Sequence, residues 1–170
     1  RRHRSHVFAD SSHGNVNFKG VIGRLGKHGP NSYAWRCRIP KVVTLYSRNA
    51  TELMASILGA RSAISHGIML RELGLHPGGP LPLYTDSKST QLSGTSDMVN
   101  SESRWNGIRI RWLQQQVSHG LIQLLWIDGV SMEADAMTKV LTPAALAQAR
   151  WTLMNLWRIY GPRKQVTFSS

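Results

Sequence analysis

Nine acidic residues in a chain of 170 are few enough to weigh one by one: Asp10, Glu52, Glu72, Asp86, Asp97, Glu102, Asp128, Glu133 and Asp135. Two of them close short apolar runs. Val7-Phe8-Ala9 leads into Asp10, and Leu81-Pro82-Leu83-Tyr84-Thr85 leads into Asp86. Each run reads as a strand that presents a carboxylate at its carboxyl end. In open α/β sheets that end is where ligands bind. The alternative for either residue is to cap the helix that follows it.

Other chemistries find less support. Ser87, Ser89 and Ser93 follow Asp86, but no histidine stands near them in sequence, so they read as helix-capping groups and not as nucleophiles. Glycines at 20, 23 and 26 suggest a phosphate loop, yet Val21 takes the place of its first glycine and His28 that of its Ser/Thr; the segment is a turn. Cys37 is the single cysteine. It excludes a disulfide framework and a thiolate zinc site, and leaves the compartment open.

Charge narrows the partners. Lys and Arg number 21 against 9 acids, a formal net charge of +12, which draws polyanions, nucleic acid first and anionic membrane second. No stretch approaches the roughly 20 uninterrupted apolar residues of a spanning helix, and the start, Arg1-Arg2-His3-Arg4-Ser5-His6, lacks a signal-peptide run. No membrane partner is expected. A 41% hydrophobic fraction with six Trp excludes wholesale disorder. The length suits one domain, and the absence of an initiator Met suggests a piece of a longer polypeptide.

The elements that must position the acids follow from periodicity. After Val7–Asp10 come strands at 20–25 and 33–39 around a turn at 26–31. In the second, Tyr33, Trp35, Cys37 and Ile39 share one face while Arg36 and Arg38 take the other. From Asn49 to Leu73 the pattern is helical, with a stripe of Leu53, Ile57, Ala60, Ile64 and Ile68 and a cap at Asn49 or Thr51. A Gly/Pro-rich connector leads to the strand at 81–86, a short helix from Ser87, a helix over 103–118, a last strand at 121–127, and helices at 132–140 and 143–160. In that last helix Leu146, Ala149, Leu153, Leu156 and Tyr160 form a stripe expected to pack in the core. The expected fold class is α/β, a mixed five-stranded sheet flanked by helices.

Three strings now carry a resemblance. Ser47-Arg48-Asn49-Ala50-Thr51-Glu52-Leu53-Met54-Ala55 is similar to the ribonuclease H segment in which a Glu opens the first long helix. Tyr84-Thr85-Asp86-Ser87-Lys88-Ser89 resembles that family's strand-ending segment, and Glu133-Ala134-Asp135-Ala136-Met137-Thr138-Lys139 resembles the close of the ribonuclease H domain in copia-type retrotransposon Gag-Pol polyproteins. The gaps from Asp10 to Glu52, Asp86 and Asp135 are 42, 34 and 49 residues in turn, close to the copia-type spacing. The resemblance implies a ribonuclease H-like domain over residues 1–142, with 143–170 a C-terminal helix and tail packed on it.

The same resemblance makes Asp10, Glu52, Asp86 and Asp135 a carboxylate quartet holding two Mg²⁺ or Mn²⁺ ions, and the activity it implies is hydrolysis of the RNA strand of RNA/DNA hybrids. The implied partners are that hybrid and an upstream reverse transcriptase domain of the same polyprotein. Two cations close together need about that many carboxylates to neutralise them while leaving room for water and a phosphate. Without metal, the clustered acids should repel and raise one another's pKa. The basic remainder supplies candidate nucleic-acid clamps: Arg36, Arg38, Lys88, Arg104, Arg109 and Arg111, with Trp105 and Trp112 among them. Two rivals are a decayed or domesticated copy that binds duplex without cutting, and a basic structural protein of a ribonucleoprotein particle.

Overall fold

A computed structural model describes residues 5–16, 19–39, 48–96 and 106–156. Five strands form one mixed sheet in the order β3-β2-β1-β4-β5. They are β1 (Ser5–Val16), β2 (Lys19–His28), β3 (Asn31–Arg38), β4 (Leu81–Thr85) and β5 (Ile122–Trp126), and the helices are α1 (Arg48–Glu72), α2 (Lys88–Thr95), α3 (Gly107–Ser118), α4 (Asp135–Thr138) and α5 (Pro143–Leu153). The first three strands pair antiparallel, whereas β4 runs parallel to both β1 and β5. The expected fold class holds.

Strand alternation sorts the core into two sides. Val7, Ala9 and Leu83 pack with Leu53, Ala60 and Ala63 of α1. On the opposite face Phe8 and Leu25 meet Met132 and Ala134, with Leu153 of α5 against them. The expected stripe on α1 is only partly right. Ile68 is half exposed, and the buried face runs through Glu52, Ser56, Gly59, Ala63 and Gly67 to Leu70. Small residues dominate it because the helix lies close on the sheet: a Cβ at Gly59 would stand 2.8 Å from Leu83 Cδ1 and 3.0 Å from Ala9 Cβ. With 25 residues, α1 has the length and composition of a membrane span, contrary to the sequence reading, yet half of its most apolar window is buried inside the protein.

Several boundaries shift. β1 continues past Asp10 to Val16, so Asp10 is a mid-strand residue and not a strand end. Neither Asn49 nor Thr51 caps α1: both lie inside it, Thr51 donating back to the Arg48 carbonyl at 2.7 Å and Asn49 accepting from Ser89 at 3.0 Å. Ser87 does cap α2, its hydroxyl accepting from the Thr90 amide. On β3 a bulge beside Gly26 and Lys27 separates Tyr33 from the alternation. Tyr33 stacks on His66 of α1 at 3.6 Å, while Trp35, two residues on, is largely exposed beside Leu153 on the other side. Cys37 and Ile39 are exposed as well.

The helix expected over 132–140 shrinks to the single turn of α4. α5 is capped by Thr142 and buries none of its residues. Leu146, expected in the core, is half exposed, and Tyr160 lies outside the described residues. The start of the expected helix over 103–118 lies outside them too, and α3 is described from Gly107.

Candidate metal centre

Three elements bring carboxyls to one point: β1, the end of β4 and the start of α1. Asp10 is buried in the strand between β2 and β4, 1% exposed. Asp86 follows the last residue of β4 and is half buried. Glu52 enters from the start of α1, 2% exposed. Ligand oxygens of these three carboxyls all lie within 4.8 Å of one another.

Asp135, the first residue of α4, stands next to Asp10, near enough for its charge to act on that carboxyl, but outside this trio. One of its oxygens accepts from Lys139 Nζ at 2.5 Å, and the other is buried without a hydrogen bond.

α4 reaches this position because β2 has no side chain in its way. Gly23 is the register partner of Asp10, and a Cβ there would fall 2.6 Å from Thr138 Cγ2 and 2.8 Å from Met137 Cβ. The Thr138 hydroxyl donates to Asp10 Oδ2. A second brace holds the loop before α4: Lys27 Nζ of β2 pairs with Glu133 Oε2 at 2.6 Å, with the lysine side chain only 7% exposed.

Electrostatics follow from this crowding. Burial pushes the Asp10 carboxyl from 3.8 up to about 7, against the Thr138 hydrogen bond, with Asp135 and Asp86 adding to the rise. Glu52 is pushed from 4.5 up to about 8, first by burial and then by Asp86 and Asp10. Lys139 is held above its ordinary value: burial works against its charge, but the hydrogen bond and charge of Asp135 outweigh it. The expectation of mutually repelling acids is met at these two carboxyls.

The donor set fits a divalent cation. Asp10 Oδ1, both Glu52 oxygens and Asp135 Oδ1 are buried and accept no hydrogen bond. Buried carboxylate oxygens left unpaired cost several kcal/mol unless a cation or proton compensates them, roughly the desolvation of a charge in a protein interior. Hard oxygens of this kind suit Mg²⁺ or Mn²⁺.

Arg48, Asn49, Lys88 and Trp126 line a cavity of about 400 Å³ that opens onto Glu52 and Asp86, and of these Arg48 and Trp126 were not expected at the site from the sequence. The Trp126 indole donates to the Asp86 carbonyl at 3.0 Å and carries Lys88 Nζ 4.7 Å above its ring centre. Trp126 is paired in register with Thr85, the residue before Asp86. The last residue of the neighbouring parallel strand was therefore the signal to look for. Thr138 and Lys139 could have been found at the third and fourth positions after Asp135, where one helical face repeats.

The expected clamps are dispersed. Among the described clamps only Lys88 lines the rim. Arg36 and Arg38 are exposed on edge strand β3; Arg109 and Arg111 are exposed on α3, donating to Asn106 at 3.1 Å and Gln114 at 3.2 Å. Trp112 is partly buried and packs against the core. Arg104 and Trp105 lie outside the described residues.

No protein-family model and no curated protein matches this chain in sequence. Solved structures do match. Ribonuclease H1 of Halobacterium salinarum NRC-1 is 20% identical, the match covering 85% of this chain and 98% of that one, with a TM-score of 0.55. LC11-RNase H1, solved in complex with an RNA/DNA hybrid, is 13% identical over 86% of this chain and 99% of its own, TM-score 0.57. The Prototype Foamy Virus protease-reverse transcriptase is 11% identical over 87% of this chain and 21% of its own, TM-score 0.52. The fold is therefore ribonuclease H-like.

Proposed function

We propose that this chain hydrolyses the RNA strand of RNA/DNA hybrids, with two divalent cations held by Asp10, Glu52, Asp86 and Asp135. The observation that carries the reading is the meeting of Asp10, Glu52 and Asp86 oxygens within 4.8 Å, several of them buried and unpaired. A ribonuclease H-like neighbour solved with an RNA/DNA hybrid supports the substrate class. The match to a segment of a foamy virus reverse transcriptase, and the copia-type strings around Glu52, Asp86 and Asp135, support a place in a retrotransposon polyprotein beside a reverse transcriptase.

Bound cations would supply a hydroxide near neutral pH and stabilise charge on the departing sugar oxygen. The protein's own groups do the rest. Thr138 holds Asp10 through Oδ2, which leaves Oδ1 free to ligate. Lys139 does the same for Asp135. Trp126 fixes the peptide of Asp86 from outside, so the carboxylate is aimed without losing an oxygen to a protein donor. Arg48 and Lys88 place positive charge at the rim, where a scissile phosphate would enter.

The test is cleavage of an end-labelled RNA/DNA hybrid with Mg²⁺, comparing wild type with Asp86→Asn. Wild type should cut the RNA strand, leaving 5′-phosphate and 3′-hydroxyl ends, and the variant should not. Inactivity of both, with hybrid still bound, would replace this reading with that of a decayed, binding-only copy.

A further inference from the structure

Four arginines gather on the α1 side of β2 and β3. Arg24 and Arg36 are direct partners in the β2–β3 pairing, and Arg38 lies two residues beyond Arg36, opposite Ile22. Arg61, one turn of α1 beyond Leu58, is close enough for its charge to act on Arg24. Arg24 reaches across to the helix, its Nη1 donating to the Leu58 carbonyl at 3.0 Å, while its Nε is buried and bonded to nothing. Ile22, Arg24, Arg36, Arg38 and Leu58 line a small cleft there.

Among the described residues no carboxylate pairs with these arginines. Among the described residues the ion pairs are Lys27–Glu133 and Lys139–Asp135, and neither touches the cleft. Like charges directly opposite on paired strands are destabilising. Burial lowers the pKa of Arg24, and Arg36 and Arg61 push it the same way. An anion would relieve all of this at once, and the planar guanidinium forks match a phosphate in pairs of hydrogen bonds.

We infer that the cleft is a phosphate site for a nucleic-acid backbone, with Arg24 as its fixed floor and Arg36 and Arg38 as its closing groups. It is separate from the carboxylates. Asp10 is opposite Gly23, and Gly23 opposite Cys37, so Arg36 and Arg38 flank a position two strands away, roughly 10 Å at ordinary strand spacing. The inference rests on the chain binding nucleic acid, not on its cutting it.

The experiment measures binding of a short RNA/DNA hybrid by fluorescence anisotropy in EDTA across a salt series. It compares wild type, R36Q/R38Q, R36K/R38K and, as a control away from the cleft, R71Q. Each lost charge-assisted contact should weaken binding about tenfold, and the double Gln variant should lower the slope of log K against log salt by roughly two. The double Lys variant keeps the charge and loses the fork, so its slope should match wild type while its affinity falls between the two. Equal affinity and slope for R36Q/R38Q and R71Q would overturn the inference. So would a cleft that only small anions fill, seen as inorganic phosphate stabilising wild type and not R36Q/R38Q against heat while hybrid binding is the same in both. Wild type that binds but never cuts would defeat the hydrolase reading and leave this site standing.

Discussion

Asp10 and Asp86 stand at the same level of adjoining parallel strands. The register pairs Val7 with Leu83 and Phe8 with Tyr84, and two further steps along both strands reach Asp10 and Asp86. Parallel pairing thus fixes two of the three clustered acids side by side, with α1 needed only to bring in Glu52. The geometry sets these two carboxyls against each other unless a cation lies between them.

Removing the Glu52 charge should have opposite effects on stability and on cleavage. Glu52→Gln should raise the melting temperature of the metal-free protein at pH 8, because burial and the charges of Asp86 and Asp10 all act against its carboxylate. Mg²⁺-dependent cleavage should fall by about three orders of magnitude, the several kcal/mol that ligand-held metal supplies. Calorimetry and a cleavage assay on the same preparation check both halves. A variant that is less stable without metal would contradict the repulsion.

Acidity should reverse the usual pH trend. Asp10 and Glu52 keep their protons up to about 7 and about 8 when folded, against 3.8 and 4.5 as ordinary carboxyls. Unfolding between those values releases protons, so stability from these groups is complete below the lower pair and lost as pH rises through the upper. The melting temperature without metal should therefore drop from pH 5 to pH 8. Millimolar Mg²⁺ should cancel most of the drop, since ligand binding to the folded state alone stabilises it.

Gly23→Ala should act on the metal centre without touching a ligand. The new Cβ would meet Thr138 and Met137 inside 3 Å, forcing α4 outward at a cost of about 1–3 kcal/mol. Isothermal titration should show weaker Mg²⁺ binding, as Thr138 and Asp135 retreat from Asp10. Unchanged affinity would mean that α4 adjusts freely.

Breaking the Lys27–Glu133 pair should be more harmful than deleting it. Glu133→Gln strands a lysine that is 7% exposed, at a cost of about 3 kcal/mol. Lys27→Met combined with Glu133→Leu should recover much of that. A double-mutant cycle by chemical denaturation gives the coupling, and additive losses would show that the pair is no brace.

Much of this arrangement is legible in the sequence. The apolar run ending at Asp86 is a short interior strand in which Leu81, Leu83 and Thr85 are buried and Pro82 and Tyr84 partly so, and Ser87 behind it caps α2 as its type suggests. Asp10 was read as a terminus because polar residues follow it, yet pairing with β2 carries the strand on to Val16. The stripe on α1 was misjudged for a different reason. Periodicity weighs large aliphatic residues, whereas Gly59 and Ala63 are buried because close approach to Ala9 and Leu83 demands small ones. Tyr33 changed sides through a bulge, a one-residue insertion that no alternation rule foresees.

The hydroxyl that secures Asp10 arrives 128 residues later in the chain. The inner strands and α1 all precede Thr138 in the sequence, so a sheet that forms before α4 docks holds Asp10 without its hydroxyl partner.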